Sequence, residues 1–572
     1  MSQHIIIIGA VALGPKAACR LKRLQPSARV TMVDRASVIS YGGCGIPYLI
    51  SGDVPDPSQL QRTAFHAVRD PEFFRTAKGV DVLTETDCLA IDRANKAVTL
   101  KPKNGEPYVL NYDQLVLGTG SRPIPMPLPG RELPGCFTVH SMEAATEIHT
   151  LVTAGGINRA IIVGAGCIGL EMAEALSDMW GIETSVIELS DQVLPGIISG
   201  DMSRMVEHHL IKKDIDLFLS ERVTAIEGEN GSVARVVTEN RTLDADLVIL
   251  AVGVVPNGEL ARQAGLAVSG RGAIIVDKTM RTSDPNIFAG GDSVCVENLV
   301  TGTRDSFALG SLANRQGRVI GSNLAGGRET FPGAVGTLAL KIFDHAVAGA
   351  GLSIDAARRH GFNAFSAQVI QFDHAHFYPD KTLMALELVV EEKTGRVLGI
   401  QGMSENGEGL LARINAVAAI LPNKPVVQDI CCLELAYSPP FSAAMDVLNN
   451  LGNVAENILN GRNRVIGQSE FQRLWADREE GRCFFLDCRD PENVASIRTS
   501  HPEHWNNIPA EILQDHTDEL PRDKTLVLVC NTGARSYEAQ RKLDAVGLTA
   551  SLSLQGGMGM LNRWGLNLAD QE

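Results

Sequence analysis

The sequence predicts an α/β protein made of several domains. Two short apolar strands are each followed by a glycine-rich turn and a helix, and a further set of apolar strands begins near residue 483. The 572 residues exceed what one hydrophobic core usually organises. Hydrophobic residues make up 44% of the chain and glycines number 55, which fits a soluble α/β protein with many loops.

Charge and cysteine content narrow the classes of function. The net charge of −15 argues against general binding to nucleic acid or to anionic membranes. No apolar run approaches the roughly 20 residues of a membrane-spanning helix. The 11 cysteines do not show the dense spacing of a secreted disulfide framework. We therefore expect a cytoplasmic protein whose partners are small molecules.

The N-terminal motif predicts a dinucleotide-binding site. The apolar run 5–8 fits a buried parallel strand, and Gly9, Val11 and Gly14 follow in the GxGxxG spacing, with valine in place of the middle glycine. The next strand ends in Asp34, where a carboxylate usually binds a ribose hydroxyl. A degenerate motif of this kind is also found as a simple fold element, so its neighbours have to support the prediction.

A second glycine motif is intact. The strand 160–163 leads into Gly164, Gly166 and Gly169, and the following strand ends in Glu188. The carboxylate of Glu188 would repel the 2′-phosphate of NADPH, and the next two residues supply no arginine to receive that phosphate. We therefore expect this site to bind NADH in preference to NADPH.

Two dinucleotide sites in one chain predict an electron relay, in which a nicotinamide cofactor reduces a bound flavin. The relay gives a redox function to Cys44, which lies in the glycine-rich turn 40–48. Taken alone, Cys44 is equally consistent with a buried structural thiol. The relay also favours cofactor binding over helix capping for Asp292, which follows a strand and two glycines.

Residues from about 1 to 460 resemble the single-cysteine branch of the FAD-dependent pyridine nucleotide-disulfide oxidoreductases. Within it they are most similar to the group of coenzyme A-disulfide reductases, coenzyme A-persulfide reductases and NADH oxidases. Valine in the first glycine motif is usual in this group. In the glutathione reductase branch a second cysteine follows four intervening residues later, and Leu49 stands there in this chain. The matching stretches are 9–12, 40–48, 117–120, 164–171, 251–257 and 290–292.

The resemblance implies where the cofactors bind. FAD is expected in a discontinuous domain of residues 1–124 and 280–330, and NAD(P)H in residues 125–279. The residues implied for cofactor binding are Gly9, Val11, Gly14, Asp34, Arg35, Gly120, Arg122, Gly164, Gly166, Gly169, Glu171, Glu188, Gly253 and Asp292.

Residues 331–452 are implied to form a dimerisation domain of a homodimer, followed by a linker at 453–467. Tyr378 and Tyr437 match tyrosines that, in relatives with bound coenzyme A, reach the redox cysteine across the dimer. A phenol can donate a hydrogen bond to a leaving thiolate or act as an acid. Either tyrosine is also consistent with an anchor of the subunit interface.

Coenzyme A is implied as a further ligand, but two departures from the pattern put it in doubt. The asparagine usual just before the active cysteine is Gly43, and the lysine usual after the double proline is Met445. Basic residues on an exposed helix are ordinarily solvated and bind no ligand. A thiol carrier other than coenzyme A is therefore an open alternative. The side chains implied for binding the substrate and its phosphates are Arg20, Lys22, Arg23 and Ser40.

The C-terminal part of the chain contains a second candidate nucleophile. A buried strand, 525–529, runs into the loop 530–535, which opens a helix. Backbone N–H groups and the helix N-terminus then surround Cys530 at the start of this loop. We therefore expect Cys530 to form a reactive thiolate.

Residues 468–572 resemble a rhodanese domain. The recognisable parts are Asp487 and Arg489 after one strand, the six-residue loop that begins at Cys530, and the turn 554–557. The resemblance implies that Cys530 carries sulfane sulfur as a persulfide and that Arg535 orients an anionic donor. The segment 501–505 departs from the pattern usual after the first strand.

These expectations describe an enzyme that passes electrons from NADH through FAD to Cys44. It would reduce the sulfur–sulfur bond of coenzyme A persulfide, polysulfide or coenzyme A disulfide, and Cys530 would load sulfane sulfur. Two alternatives stay open: an NADH oxidase or peroxidase that acts through a sulfenic acid on Cys44, and a sulfurtransferase with a non-catalytic flavin module. No metal site is expected, because His501 and His504 are not accompanied by cysteine or carboxylate ligands in a metal-binding pattern.

Overall fold

The structure, a computed structural model, describes residues 3–569. The chain divides into two compact units. The first contains the residues up to Leu189 and the range Ser220–Ala334. The second contains Ser190–Leu219 and the residues from Val335 onward. The domain boundaries expected from the sequence stay predictions, and the segment 190–219 of the expected NAD(P)H domain groups with the second unit.

A five-stranded parallel sheet organises the first part of the first unit. Ile5, Ile6 and Ile7 of its central strand are fully buried, as a parallel strand covered on both faces requires. The strands, in spatial order, are β19 (Ile287–Ala289), β7 (Gln114–Leu117), β1 (His4–Ile8), β2 (Arg29–Val33) and β3 (Asp81–Leu83). The helices of this part are α1 (Leu13–Leu24), α2 (Ile46–Ser51), α3 (Pro71–Phe73) and α8 (Gly310–Leu324).

A second parallel sheet holds the intact glycine motif. Its strand β10 pairs with β11 on one side and with β16 on the other. The strands that this sheet has in the first unit are, in spatial order, β11 (Glu183–Ile187), β10 (Arg159–Val163), β16 (Leu247–Leu250) and β9 (Cys136–Phe137). The helices are α4 (Met142–Ala154), α5 (Cys167–Ser177) and α7 (Glu259–Gln263).

Short strands complete the first unit. β8 (Ser121–Pro123) and β17 (Val254–Pro256) form an antiparallel pair that brings together the two segments leaving the parallel sheets. The other strands form three small sheets: β4 (Thr86–Asp92), β5 (Ala97–Pro102) and β6 (Tyr108–Asn111); β13 (Val223–Glu229), β14 (Ser232–Thr238) and β15 (Thr242–Asp244); β18 (Ile274–Ile275), β20 (Val294–Glu297) and β21 (Arg304–Asp305).

An antiparallel sheet forms the larger core of the second unit. Its strands, in spatial order, are β22 (Thr337–Ile342), β23 (His345–Gly351), β26 (Val397–Ser404), β25 (Leu383–Glu391) and β24 (Ala364–Phe372). The other elements here are α6 (Gly200–Lys212), β12 (Asp216–Phe218), α9 (Ile354–Arg359), α10 (Gly407–Ile420), α11 (Val427–Cys431) and α12 (Val447–Leu459).

The C-terminal part of the second unit is a smaller parallel sheet. Its strands, in spatial order, are β27 (Val465–Ile466), β31 (Ser551–Leu554), β30 (Thr525–Val529), β28 (Cys483–Asp487) and β29 (Trp505–Asn507). Its helices are α13 (Gln468–Ala476), α14 (Ala495–Ser500), α15 (Ala534–Ala545) and α16 (Gly557–Trp564). Among residues 3–569, no helix is long and apolar enough to cross a membrane.

Two glycines allow α8 to lie directly against α1. A Cβ atom on Gly317 would lie 2.7 Å from the backbone oxygen of Leu13. A Cβ on Gly321 would lie 2.6 Å from both the backbone oxygen of Ala17 and the Cβ of Arg20. Atoms do not approach so closely, so any larger residue has to push the two helices apart.

Gly321→Ala should therefore destabilise the protein by roughly 1–3 kcal/mol, as overpacking does in a filled contact. Urea unfolding, followed by circular dichroism, measures the change. Gly270→Ala is the matched control, because a Cβ at Gly270 would meet no atom within 4 Å. Equal stability of the two variants would show that α1 and α8 do not need this close approach.

Candidate active sites

Cys44 lies in a one-turn 3-10 helix, Gly43–Gly45, which leads directly into α2. The residue is exposed, whereas Leu49, where a second cysteine would stand, is fully buried in α2. All 11 cysteines of the chain are free thiols in the structure. Cys44 therefore has no disulfide partner within the chain.

Groups from three distant stretches of the chain surround the Cys44 thiol. Loss of solvent raises its pKa most, followed by the negative charges of Glu171 in α5 and Asp292 after β19. A Cβ on Gly310, the first residue of α8, would lie 3.7 Å from the Cys44 Sγ. The N-terminal end of α8 therefore lies beside the thiol, and its dipole favours the thiolate against the two carboxylates.

Glu171 is a group that can exchange a proton near neutral pH. Burial, and secondarily the charge of Glu174, raises the pKa of Glu171 to about 7. The pKa of Tyr48 in α2 is raised as well, first by burial and then by Glu171. The structure thus places one carboxyl group in electrostatic contact with both the candidate redox thiol and a neighbouring phenol.

The first glycine motif forms a tight turn that is linked to the carboxylate at the end of β2. Asp34 Oδ2 accepts a hydrogen bond of 2.7 Å from the backbone N–H of Ala10. Gly9 has a φ of +105°, and a Cβ there would lie 2.1 Å from the backbone oxygen of Gly118. A Cβ on Gly14 would lie 2.0 Å from the oxygen of Gly9. Val11 is half-buried in this turn.

The second glycine motif repeats this arrangement. Glu188 Oε2 accepts a hydrogen bond of 2.8 Å from the backbone N–H of Ala165. A Cβ on Gly164 would lie 2.5 Å from the oxygen of Ala251, and one on Gly169 would lie 1.9 Å from the oxygen of Gly164. A Cβ on Gly166 would meet nothing within 4 Å. The middle glycine therefore faces open space, as close approach of a pyrophosphate requires.

The remaining residues predicted for cofactor binding lie along the segments that leave the parallel sheets. Asp292 Oδ2 accepts a hydrogen bond from Ser121 Oγ, and Arg122 Nη1 donates to Asn257 Oδ1. Gly120 has open space where a Cβ would be, and Gly253 precedes β17 with a φ of +99°. Arg35 is exposed, 3.6 Å from a carboxylate oxygen of Asp87. The open space beside Gly120 and Gly166 and the two ribose-type carboxylates fit FAD and a nicotinamide dinucleotide.

Of the residues predicted to hold coenzyme A, Lys22 and Arg20 already have protein partners, Ser40 is buried, and Arg23 faces solvent. Lys22 Nζ donates to the backbone oxygens of Pro26 and Ala28 at 2.5 and 2.9 Å. Arg20 donates to Ser322 Oγ and pairs with Glu329. Ser40 is 2% exposed, and Arg23 is exposed. The first helix does not by itself present a preformed phosphate site.

Tyr378 and Tyr437 lie in the second unit, among apolar side chains that face solvent. Tyr378 stacks on the ring of His374, with the ring centres 5.7 Å apart. Tyr437 is 50% exposed. The exposed apolar side chains of the same two segments are Phe372, Phe377, Phe441 and Met445. Such a patch is typical of a surface that another protein molecule covers.

Arg413 in α10 ties the two tyrosine-bearing segments together. Its guanidinium donates to Asp446 Oδ2 at 2.6 Å and to the backbone oxygens of Asp373 and Phe441 at 3.1 and 3.3 Å. Arg413 and Asp446 are both buried, so neither charge is solvated. The sequence motifs do not indicate Arg413, because its partners are distant in the chain.

Cys530 lies at the end of β30 in a loop closed by several hydrogen bonds. Its Sγ accepts a hydrogen bond of 3.1 Å from the backbone N–H of Gly533 and lies 3.5 Å from Ser536 Oγ. The N–H of Met558 donates to the Cys530 backbone oxygen. A Cβ on Gly557 would lie 2.1 Å from that oxygen, so the turn needs glycine at this position.

The side chains around this loop divide into structural and ligand-facing groups. Arg489 donates to both carboxylate oxygens of Asp487, and Trp505 Nε1 donates to one of them. This buried set holds the strand ends in place. Arg535 Nη1 lies 3.5 Å from Asp490 Oδ2, and within residues 3–569 it makes no hydrogen bond. Arg535 therefore has the capacity to bind an anion.

A histidine–carboxylate cluster lies apart from the predicted sites. Potential ligand atoms of His209, Asp344 and His345 all lie within 4.8 Å of one another. Lys213 Nζ lies 3.3 Å from the same Asp344 oxygen that both rings approach. The ammonium group already neutralises the carboxylate, so this cluster is held together as an ion pair.

Comparison with known proteins identifies the class of this protein. Residues 3–317 match the family model of the pyridine nucleotide-disulphide oxidoreductases, and residues 338–448 match the dimerisation domain of the same family. Residues 470–560 match the rhodanese-like domain. The chain therefore belongs to the pyridine nucleotide-disulphide oxidoreductase family, carries a rhodanese-like domain, and is an oxidoreductase that uses FAD and NAD(P)H. The predicted fold class and family resemblance are confirmed.

Particular relatives share most of the chain. An NADH oxidase of Methanocaldococcus jannaschii is 32% identical over 78% of this chain and 99% of its own length. A CoA-dependent NAD(P)H sulfur oxidoreductase of Pyrococcus abyssi is 34% identical over 79% of this chain and 98% of its own. The structure of an NAD-dependent persulfide reductase from A. fulgidus is 38% identical, with a TM-score of 0.91, and covers 97% of this chain and 99% of that chain.

Glu171→Gln tests the electrostatic contact with Cys44. Removing the negative charge should lower the pKa of Cys44, so alkylation by iodoacetamide should reach half its maximal rate at a lower pH than in the unmodified protein. Mass spectrometry of the Cys44 peptide measures this rate. Glu174→Gln is the control and should shift the profile less, because Glu174 acts on Glu171 and Tyr48. Superimposable profiles for Glu171→Gln and the unmodified protein would contradict the contact.

Proposed function

We propose that this protein is an NADH- and FAD-dependent reductase of sulfur–sulfur bonds that acts through Cys44, coupled to sulfane-sulfur transfer by Cys530. Its substrates are coenzyme A persulfide, polysulfide or coenzyme A disulfide. The observation that carries the proposal is an exposed thiol without a disulfide partner, which is subject to the charges of Glu171 and Asp292. The similar persulfide reductase and sulfur oxidoreductase support the same reaction class.

In the proposed reaction, Cys44 exchanges bonds with the substrate. Its thiolate attacks the outer sulfur of a persulfide, the carrier leaves as a thiol, and Cys44 keeps the sulfur as its own persulfide. With coenzyme A disulfide, the same attack releases one thiol and leaves a mixed disulfide on Cys44. FAD, which the first glycine turn and Asp34 would hold, would supply the two electrons, taken from NADH, that restore the Cys44 thiolate. Sulfide or the second thiol then leaves.

Residues of this chain would accept the proton and stabilise the charge in this exchange. Glu171 can take the proton of the Cys44 thiol near neutral pH, because its pKa is raised to about 7. The N-terminal end of α8 stabilises the thiolate. Glu188 holds the second glycine turn and places a carboxylate at the ribose position, which favours NADH over NADPH.

The rhodanese-like domain would supply the sulfur. Cys530, with an N–H donor on its Sγ and Arg535 at the end of its loop, would take sulfane sulfur from an anionic donor as a persulfide. That sulfur would then pass to Cys44, directly or on a small thiol. Domain boundaries and residue roles in this scheme are those predicted from the sequence.

Cys44→Ser should lower sulfur-dependent NADH oxidation by roughly 10³-fold or more under anaerobic conditions, because the covalent adduct that the electrons of NADH resolve forms on Cys44. Consumption of NADH at 340 nm with coenzyme A persulfide, polysulfide or coenzyme A disulfide measures it. Cys136→Ser, a half-buried thiol in β9, is the control and should keep full activity. Full turnover by Cys44→Ser would refute the proposed reaction.

Two further arms of this assay separate the alternatives. Cys530→Ser should lose turnover with polysulfide or thiosulfate but keep it with coenzyme A disulfide, and equal turnover on all substrates would remove the coupling while leaving the reductase. The similar NADH oxidase of M. jannaschii favours oxygen as a second candidate acceptor. Faster NADH consumption in oxygen alone than with any anaerobic sulfur substrate would establish that oxidase activity instead.

We also propose a homodimer in which the exposed apolar side chains of the second unit are covered. Phe377 and Phe441 are 66% and 71% exposed, and both lie in the family's dimerisation domain. Burying these two rings would remove their apolar surface from water, and the adjacent Tyr378 and Tyr437 would then reach the partner's active site.

Phe377→Asp and Phe441→Asp should each weaken the dimer by roughly tenfold or more, because a charge would replace a buried anchor. Sedimentation equilibrium over a range of concentrations measures the dissociation constant. Val109→Asp, at a site 62% exposed in the first unit, should leave it unchanged. An unaltered dimer in both phenylalanine variants would show that these rings lie outside the interface.

A further inference from the structure

A second cysteine lies beside Cys530 in the C-terminal sheet. Cys488 follows β28 and Cys530 follows β30, and these two strands are parallel neighbours in which Asp487 pairs with Val529. The N–H of Cys488 donates to the backbone oxygen of Val529 at 2.8 Å. The ladder thus continues by one residue, and the two cysteines take equivalent positions on adjacent strands.

Both side chains point to the same face of the sheet. Alternation along the strands puts Leu486 and Cys488 on one face of β28, and Leu528 and Cys530 on the same face of β30. All four residues belong to one buried apolar cluster. Cys488 is 0% and Cys530 is 1% exposed. The backbones of neighbouring strands lie about 4.8 Å apart, and a disulfide bond can join two cysteines at this separation.

The environment of Cys488 shows that the two sulfurs interact. Burial raises the pKa of Cys488, and the negative charge of Cys530 is the next cause of that increase. The Cys488 thiol therefore keeps its proton to a higher pH than an exposed cysteine does.

We propose that Cys488 is a resolving thiol that releases the sulfur carried by Cys530 as sulfide. This inference rests on the proposed loading of Cys530. In the step, the Cys488 sulfur attacks the inner sulfur of the Cys530 persulfide, the Cys488–Cys530 disulfide forms, and the bond to the outer sulfur breaks. The outer sulfur of the anionic persulfide takes the proton of Cys488 and both electrons of that bond, and leaves as the hydrosulfide anion, HS⁻. The outer sulfur is reduced and Cys488 is oxidised, with no other reactant.

The positions of the two groups suit a displacement in line. Cys488 approaches Cys530 from the sheet face, within the apolar cluster. The N–H of Gly533 approaches the same sulfur from the loop. An outer sulfur held on the loop side would therefore leave away from Cys488, into the loop whose last residue is Arg535. A small thiol in solution then reduces the disulfide and restores both cysteines.

The consequence is a second exit for sulfane sulfur. When Cys44 or a small thiol accepts the sulfur, Cys530 acts as a carrier. When no acceptor is present, Cys488 converts the persulfide into sulfide and closes the site as a disulfide. The C-terminal domain is then protected from further loading until a thiol reopens it.

The test uses the full chain with Cys44→Ser, so that the first thiol takes no part. The protein is reduced, freed of reductant under anaerobic conditions, and treated with thiosulfate as the sulfur donor. Sulfide is measured by methylene blue, and the cysteine peptides are mapped by mass spectrometry without reduction. We expect each chain to release one equivalent of sulfide. We also expect a disulfide-linked pair of peptides that contain Cys488 and Cys530.

Two added substitutions make the test specific. Cys488→Val should retain the persulfide on Cys530 and release no sulfide. Cys483→Val, on the same strand β28 but facing the other side of the sheet, should behave like the parent. The mapping of the parent protein decides the question even if Cys488→Val does not fold.

The outcomes separate this inference from the proposed function. A Cys530 persulfide that persists in the parent, without a disulfide, would overturn the role of Cys488 and leave the loading of Cys530 intact. If neither the parent nor Cys488→Val gains sulfur on Cys530, the proposed loading fails, and the role of Cys488 fails with it.

Discussion

The hydrogen bond from a glycine turn to the carboxylate of the neighbouring strand is the interaction on which the first unit depends. It occurs twice, from Ala10 to Asp34 and from Ala165 to Glu188, at 2.7 and 2.8 Å. In each sheet this hydrogen bond joins the first βα turn to the end of the second strand. The turn and the carboxylate at the ribose-binding position are therefore held together at one edge of the sheet. Every candidate redox group of this unit is placed relative to these two edges.

Cys44 shows how groups from distant segments meet at one candidate redox thiol. The strand that ends in Asp34 delivers the thiol, α5 of the second motif delivers Glu171, and β19 delivers Asp292. Two carboxylates and loss of solvent raise the pKa of the thiol, whereas the N-terminal end of α8 acts in the opposite direction. The thiol is therefore poised by competing charges from distant segments, which makes it responsive to the charge state of its neighbours.

In the second unit, buried polar groups hold the candidate site segments in place. Arg413 holds two long segments through backbone oxygens, and its charge is balanced by Asp446. In the rhodanese-like domain, Asp487 and Arg489 fix the strand ends, while Gly557 allows a second turn to reach the Cys530 backbone. The residues that support the site and the candidate nucleophile are therefore different residues.

The sequence by itself determined the two glycine motifs, the carboxylates after their strands, the single cysteine with Leu49 at the second position, and the Cys530 loop. Local patterns encode these features, because turn geometry and strand periodicity depend on neighbouring residues. Only the tertiary structure showed that Glu171 and Asp292 act on Cys44, that Lys22 donates to backbone oxygens, and that Arg413 joins two loops. It alone placed Cys488 beside Cys530, because strand order and register, which local sequence does not specify, decide which side chains share one face.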